Sequence, residues 1–325
     1  MTVVVVGIDA LDAELVSESK HPNLTLNAHS QISTIESANG ELSTHELWPT
    51  IITGLPPEKH GLTLNSGVGW ESPTLRFGGS VADIVLPDQI QSKLGAWILN
   101  NTETDVFRTP VSYYEKNEIQ TIFDGCNAET IGIPNYVVDL DTDDREHELR
   151  RQLGDLFERD TSQPGGHSSA DPALFYEQAM EMVMIRLARI RRAYRSHRYE
   201  LVFGYTSGVD LIGHIAYSDP SLQDQAYNET DDFVGDLLTD LGSDDTLVIV
   251  SDHGLQDGIH TEQAMIASTD PRIVDRVDSV VDVRSSLEEA IAEGDHEPTP
   301  SADSRKSSVD DEKQVQEHLK DLGYM

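Results

Sequence analysis

The chain has 325 residues, enough for one large α/β core or two small domains. It carries 58 Asp and Glu against 23 Lys and Arg, a formal charge of -35. That excess argues against a nucleic-acid polymer or an anionic membrane surface as partner, because both call for cationic patches, and it reads as adaptation to a salty cytoplasm, where salt screens self-repulsion.

The N-terminal run "TVVVVGID" (2–9) is continuous, β-branched and closed by Gly-Ile-Asp, the pattern of a strand buried on both faces in a parallel sheet. It is no signal peptide, having a short apolar run and no basic flank. Next, "LSTHELWPTIITGLPPEKHG" (42–61) offers hydroxyls at Ser43, Thr44, Thr50 and Thr53. Residues 65–120 mix Gly, Pro, Trp and short apolar runs, and are expected to be a loop-rich excursion. Cys126, the single cysteine, reads as a small buried hydrophobe, and no disulfide can form within the chain, which fits a reducing compartment. "ETIGIPNYVV" (129–138) reads as a second strand. Residues 139–171 are expected to form a charged helix and then a flexible loop, together a small cap, in which His167 is the histidine to test for substrate contact.

Asp171-Pro172 opens the longest helix, with a capping side chain and Pro at the first helical position. Its stripe of Tyr176, Met180, Val183, Leu187, Ile190 and Tyr194 faces a core. Its Arg186, Arg189, Arg191, Arg192, Arg195 and Arg198 spread around several sides, which fits a solvated face pairing with acidic groups better than an anion site. "YELVFGYTS" (199–207), "DTLVIVSD" (245–252) and "EQAMIAS" (262–268) complete the strands. Residues 293–312 have almost no apolar content and are expected to be a disordered acidic linker, followed by a C-terminal helix over 313–325. No stretch reaches the ~18 apolar residues of a membrane span, and a cytoplasmic protein is expected. Strands alternating with helices predict an α/β fold, a doubly wound and mostly parallel sheet with helices on both faces and a small inserted cap, spanning 1–292.

In such sheets ligands gather beyond the carboxyl ends of the strands. Asp9 follows the first strand, Asp210 and His214 follow "LVFGYTS", Asp252 and His253 follow "LVIV", and His260 lies a little further on. Asp210 and His214 stand one helical turn apart and so share a side. Gly254 permits a turn after Asp252-His253. Six mixed Asp and His donors exceed one tetrahedral site and suit two divalent cations about 4 Å apart, zinc first and manganese next. A hydroxyl nucleophile fits such a site; spacing alone leaves Ser43, Thr44, Thr50 and Thr53 open.

Asp9, "TGLPPEKHG", "GVDLIGH", "SDHG" and "IHT", in that order, resemble the alkaline phosphatase superfamily, and within it the type I phosphodiesterase/nucleotide pyrophosphatase branch. The resemblance implies an alkaline-phosphatase-like core. It implies one cation on Asp210, His214 and His260 and another on Asp9, Asp252 and His253, with Thr44 both the nucleophile and a further ligand to the latter, and Asn65 holding a phosphoryl oxygen. The chain departs from the branch at Glu46, where Pro is usual; Pro49 comes later, and this shift keeps Thr50 as a rival nucleophile. His60 reads as structural. The substrate implied is a small phosphate ester, with a diester favoured because no Arg or Lys stands near Thr44. The alternatives are a transferase of phosphoryl-linked headgroups or a non-catalytic binder on this scaffold, then a phosphomonoesterase. A sulfatase is disfavoured because position 44 is Thr and Cys126 lies far away.

Overall fold

A computed structural model describes residues 1–37, 42–63, 109–138, 145–160, 162 and 167–294. Asn65, most of the 65–120 excursion, nearly all of the acidic linker and the C-terminal helix lie outside these residues. In chain order the strands are β1 (Val3–Ile8), β2 (Ala28–Ile32), β3 (Ala128–Ile131), β4 (Phe157–Arg159), β5 (His167–Ser169), β6 (Leu201–Thr206), β7 (Thr246–Val250), β8 (Gly254–Gln256), β9 (Ile259–Thr261) and β10 (Ala264–Ser268). The helices are α1 (Pro22–Thr25), α2 (Thr44–Thr53), α3 (Pro57–His60), α4 (Val111–Lys116), α5 (Arg145–Leu156), α6 (Pro172–Tyr194), α7 (Gly208–Ile215), α8 (Ser221–Leu238), α9 (Pro271–Val274) and α10 (Val283–Glu293).

The main sheet runs β2-β10-β7-β1-β6-β3. β1 lies at its centre, parallel to β6 on one side and β7 on the other, while β10 is antiparallel to both β7 and β2. This is the α/β, mostly parallel sheet that the alternating pattern predicts. Successive β1 side chains alternate between its two faces. Val4, Val6 and Ile8 join a core with α6, α7 and α8, whereas Val3 and Val5 join a second core with α2, α9 and α10. Burial of apolar area on both faces, worth roughly 25 cal/mol per Å², is what holds the layers together. Trp48 of α2 presses onto β1 so closely that a Cβ at Gly7 would meet its ring at 2.4 Å.

Three expectations change. The strand expected over 129–138 ends at Ile131, because Gly132 and Asn135 turn the backbone into left-handed conformations (φ 69° and 57°) on either side of Pro134. β2 went unpredicted because its "AHSQI" is an edge strand with mostly polar character. The cap's expected loop contains a β4–β5 hairpin that continues from α5. In α6 the six predicted core residues are all buried, and Asp171 Oδ1 accepts from Leu174 N at 3.1 Å as its cap. Arg191 and, at the C-cap, Arg195 pair with Asp240, as expected of a solvated face, but Arg186 departs from that expectation: it is buried, its guanidinium packed against Gly132.

Candidate metal centre

The register of the three central strands sets their carboxyl ends level. Ile8 pairs with Thr206 and Gly7 with Val250. The residues that follow, Asp9, the Ser207–Asp210 turn into α7, and Asp252-His253, therefore emerge along one edge. Within that edge Asp9, Asp252 and His253 form one cluster and Asp210, His214 and His260 a second, the donor atoms of each lying within 4.8 Å of one another. The clusters adjoin: the rings of His253 and His260 lie 4.1 Å apart, centroid to centroid.

All three imidazoles are aimed by the same device. Nδ1 of His214 donates to the Gly258 carbonyl (3.2 Å), Nδ1 of His253 to Gly254 (3.1 Å) and Nδ1 of His260 to Leu42 (3.1 Å). Since a carbonyl only accepts, Nδ1 carries the proton and Nε2 presents its lone pair inward. Nε2 of His214 and Nε2 of His260 then face each other at 3.0 Å, an arrangement that repels unless a proton or a cation sits between them.

The carboxylates tell the same story. Oδ1 of Asp210 and Oδ2 of Asp252 are buried without a hydrogen-bond donor, and the atoms facing them are imidazole Nε2 at 3.3–3.5 Å. Among the described residues, the groups that contact the three aspartates are His, Tyr, Thr, a backbone N–H and, for Asp9 and Asp252, each other, never Lys or Arg. Burial, followed by the neighbouring Asp210 charge, pushes Asp9 up to about 6. Burial and then Asp9 hold Asp252 well above the usual carboxylate range. His253 is pushed down to about 3 by burial and by the charge on His260. For His260 burial also opposes charge, but contact with Asp210 prevails and raises it to about 9. Asp210, in spite of its burial, is held well below its ordinary value by His214 and His260. Two buried carboxylates and the partly buried Asp210, orphaned oxygens and inward Nε2 lone pairs form a donor set that fits two divalent cations.

Thr44 opens α2, and its Oγ1 lies 3.3 and 3.4 Å from the Asp9 oxygens and 3.3 Å from Nε2 of His253. Thr50 is turned elsewhere: buried, its hydroxyl donates to the Glu46 carbonyl at 2.8 Å and meets Nε2 of His60 at 3.1 Å. His60 accepts from Leu62 N at 3.1 Å, and burial pushes its pKa down to about 4, so it is a neutral structural group. Ser43 precedes α2 at its N-cap, and Thr53 Oγ1 donates to the Pro49 carbonyl at 2.6 Å. His167 does reach the site: its ring stacks on Phe157 and meets His214 edge-on at 5.4 Å. Cys126 is only half-buried and stands outside the centre.

Two supporting residues escaped the sequence. Tyr205 of β6 donates its hydroxyl to Asp9 Oδ2; its place in "LVFGYTS", on the strand beside β1 and close to the strand end, is the signal that could have found it. Asp12 is fully buried, and its Oδ2 accepts from Thr261 (2.6 Å) and Gln256 (3.1 Å), which ties the β8–β9 hairpin bearing His260 to the loop after β1. Gly254 serves a purpose other than the expected turn. A Cβ there would meet Asp12 Oδ2 at 2.3 Å and Thr261 Oγ1 at 2.4 Å, so it is close approach that demands glycine.

The sequence model of the type I phosphodiesterase / nucleotide pyrophosphatase family matches residues 3–321. No curated protein matches the chain. Among solved structures, a Pyrococcus horikoshii protein is 12% identical, with 92% of this chain and 98% of that one covered and a TM-score of 0.46. Murine ectonucleotide pyrophosphatase/phosphodiesterase 5 is 16% identical, covering 78% of this chain and 57% of its own, with a TM-score of 0.40. An alkaline phosphatase from an Antarctic bacterium is 11% identical, covering 90% and 97%, with a TM-score of 0.44.

Proposed function

The chain belongs to the type I phosphodiesterase/nucleotide pyrophosphatase family and is a metal-dependent phosphoric-ester hydrolase, and from that premise we propose that it cleaves small phosphodiesters with Thr44 as nucleophile between two cation sites. Asp9, Asp252 and His253 would hold one cation and Asp210, His214 and His260 the other. When bound, the cations neutralise negative charge at phosphorus and favour ionised hydroxyls; zinc is the metal this donor set suits best.

The chain's own part follows from the geometry around Thr44. Its Oγ1 faces both oxygens of Asp9 and Nε2 of His253, while the Tyr205 hydroxyl holds Asp9 in place by donating to Oδ2. Standing at the start of α2, Oγ1 also feels the positive end of the helix, which favours an alkoxide. Oγ1 attacks phosphorus in line, the bond from phosphorus to the departing ester oxygen breaks, and a phosphothreonine forms. Water then cleaves the new bond, releasing the phosphomonoester and restoring the hydroxyl. Asn65 is proposed to bind a non-bridging oxygen. Among the described residues no Lys or Arg contacts Thr44, which favours a diester over the more highly charged monoester. A cytoplasmic, high-salt setting is proposed from the acid excess; no described helix is long and apolar enough to cross a membrane.

The observation that carries this reading is the contact of Thr44 Oγ1 with two members of one cluster, whose His253 adjoins the other. It is tested with Thr44→Ala in high salt, measuring hydrolysis of a p-nitrophenyl phosphodiester alongside bound metal. The expected result is loss of turnover by at least about 10³-fold with two metals retained. Wild-type turnover in Thr44→Ala would assign the nucleophile elsewhere.

A further inference from the structure

Pro49 lies inside α2. A proline has no N–H, and its ring crowds the carbonyl four residues back, which here is that of His45. His45 follows Thr44 directly, so the missing bond falls in the turn that presents Thr44 Oγ1. Helix ends already leave backbone groups unsatisfied, and losing one more bond here loosens the first turn.

That carbonyl has another donor. Nδ2 of Asn135 reaches His45 O at 2.9 Å, across 90 positions of sequence. Asn135 is 4% exposed, and its side-chain oxygen and its carbonyl are both held. Its Oδ1 accepts from Thr109 Oγ1 at 3.0 Å, which fixes the orientation of the amide so that Nδ2 faces His45. Its carbonyl accepts from the Tyr114 hydroxyl at 2.7 Å. The nearby Val137 is laced to 109–111 by bonds from its N to Thr109 O and from Val111 N to its own carbonyl, each 3.0 Å. The backbone of Asn135 is left-handed (φ 57°), a conformation that Asn tolerates better than other side-chain-bearing residues. A rigid, tertiary-anchored donor thus stands where the helix has none of its own.

We infer that Asn135 is the positioning residue for the nucleophile: it supplies the hydrogen bond that Pro49 withholds from His45 and so fixes the turn bearing Thr44. The inference rests on the reading of Thr44 as nucleophile. Proline and asparagine form a matched pair, and each is explained by the other.

This pairing has a specific consequence. Asn135→Gly, which keeps the left-handed backbone accessible, should lower kcat for a p-nitrophenyl phosphodiester about tenfold, the scale expected when a reacting group is slightly misplaced. KM and bound metal should stay near those of the unsubstituted protein, while the thermal midpoint falls because Thr109 Oγ1 and His45 O lose their partner. In a Pro49→Ala background the backbone N–H restored at position 49 reaches His45 O, so the same Asn135→Gly change should lower kcat by less than about twofold. If Asn135→Gly does not fold, Asn135→Ser carries the comparison, since its side chain is too short to reach His45 O and adds no charge; its loss should likewise shrink in the Pro49→Ala background. An unchanged kcat in the single variant, or an equal loss in both backgrounds, overturns the inference. Thr44→Ala in the same assay separates the two claims: turnover there refutes the nucleophile, whereas an inactive Thr44→Ala beside insensitive Asn135 variants refutes only the pairing.

Discussion

The two Nε2 atoms of His214 and His260, 3.0 Å apart with both Nδ1 protons committed to carbonyls, define what the centre does as conditions change. Without metal, a proton takes the place between them, and His260 keeps it up to about pH 9. A cation must displace that proton, so affinity at this cluster rises with pH and levels off above about 9. At the other cluster His253, pushed down to about 3, is already neutral at any working pH, and the competing protons sit on Asp9, below about pH 6, and on Asp252. Asp9 is raised in the folded state, so in metal-free protein it favours folding at low pH, and that contribution disappears as pH rises through about 6. Adding zinc should therefore raise the thermal midpoint more at pH 8 than at pH 5, with proton release on binding detectable by calorimetry in buffers of different ionisation heat. An equal gain at both pH values would contradict these assignments. Asp9, Asp210, His214, Asp252 and His253 were legible because each stands at or shortly after an apolar strand run, a pattern visible in a single stretch of chain, whereas His260, after "GLQDGI", was marked only by its nearness to Asp252-His253. Tyr205, Asp12 and Asn135 were not, because what they do depends on partners far away in sequence: Tyr205 meets Asp9 and Asn135 meets His45 only after the sheet has formed.

At the level of elements, the centre depends on a hairpin of two three-residue strands, β8 and β9, that delivers His260. So short a ladder cannot hold its own position. It is fastened by Asp12, which takes hydrogen bonds from Thr261 and Gln256, and by Gln223 of α8, whose Nε2 donates to Leu255 O at 2.8 Å. Gly254 lets Asp12 come that close. Gly254→Ala should push the hairpin outward and weaken binding of one of the two cations by about 10- to 100-fold, the usual effect of disturbing groups behind the ligands. Metal content after dialysis against a weak chelator should then approach one per chain, and retention of two with unchanged affinity would show that the hairpin is held otherwise. The same features explain which elements could be read in advance. β1, β6 and β7 are buried on both faces and show continuous apolar runs, whereas β2 lies at an edge and β8 and β9 are too short for any period to emerge. Gly132 and Asn135 stop β3 early although its apolar residues continue, since backbone conformation and not hydrophobicity ends that strand.

For the whole molecule the dominant quantity is the formal charge of -35. Among the described residues, pairs such as Lys20 with Asp224, Arg191 and Arg195 with Asp240, Arg272 with Asp270, Arg272 and Arg276 with Glu293, Arg276 with Glu289 and Arg284 with Glu288 take up only a few of the acidic groups. Salt acts on the two kinds of interaction in opposite directions. It weakens these surface pairs, which contribute little, and it relieves the repulsion among the remaining carboxylates, which is summed over many longer separations. Those separations are the ones screening reaches first, since the Debye length falls from about 10 Å at 0.1 M to about 3 Å at 1 M. Repulsion should therefore win, and the thermal midpoint should climb steadily as KCl is raised from about 0.1 to about 2 M. Loss of bound metal could imitate this at low salt, so the titration is run both with saturating zinc and with chelator. A rise in both series assigns the effect to the surface charge, whereas a rise confined to the zinc-loaded protein would place the salt dependence at the metal centre, and a fall in both would mean that the ion pairs outweigh the repulsion.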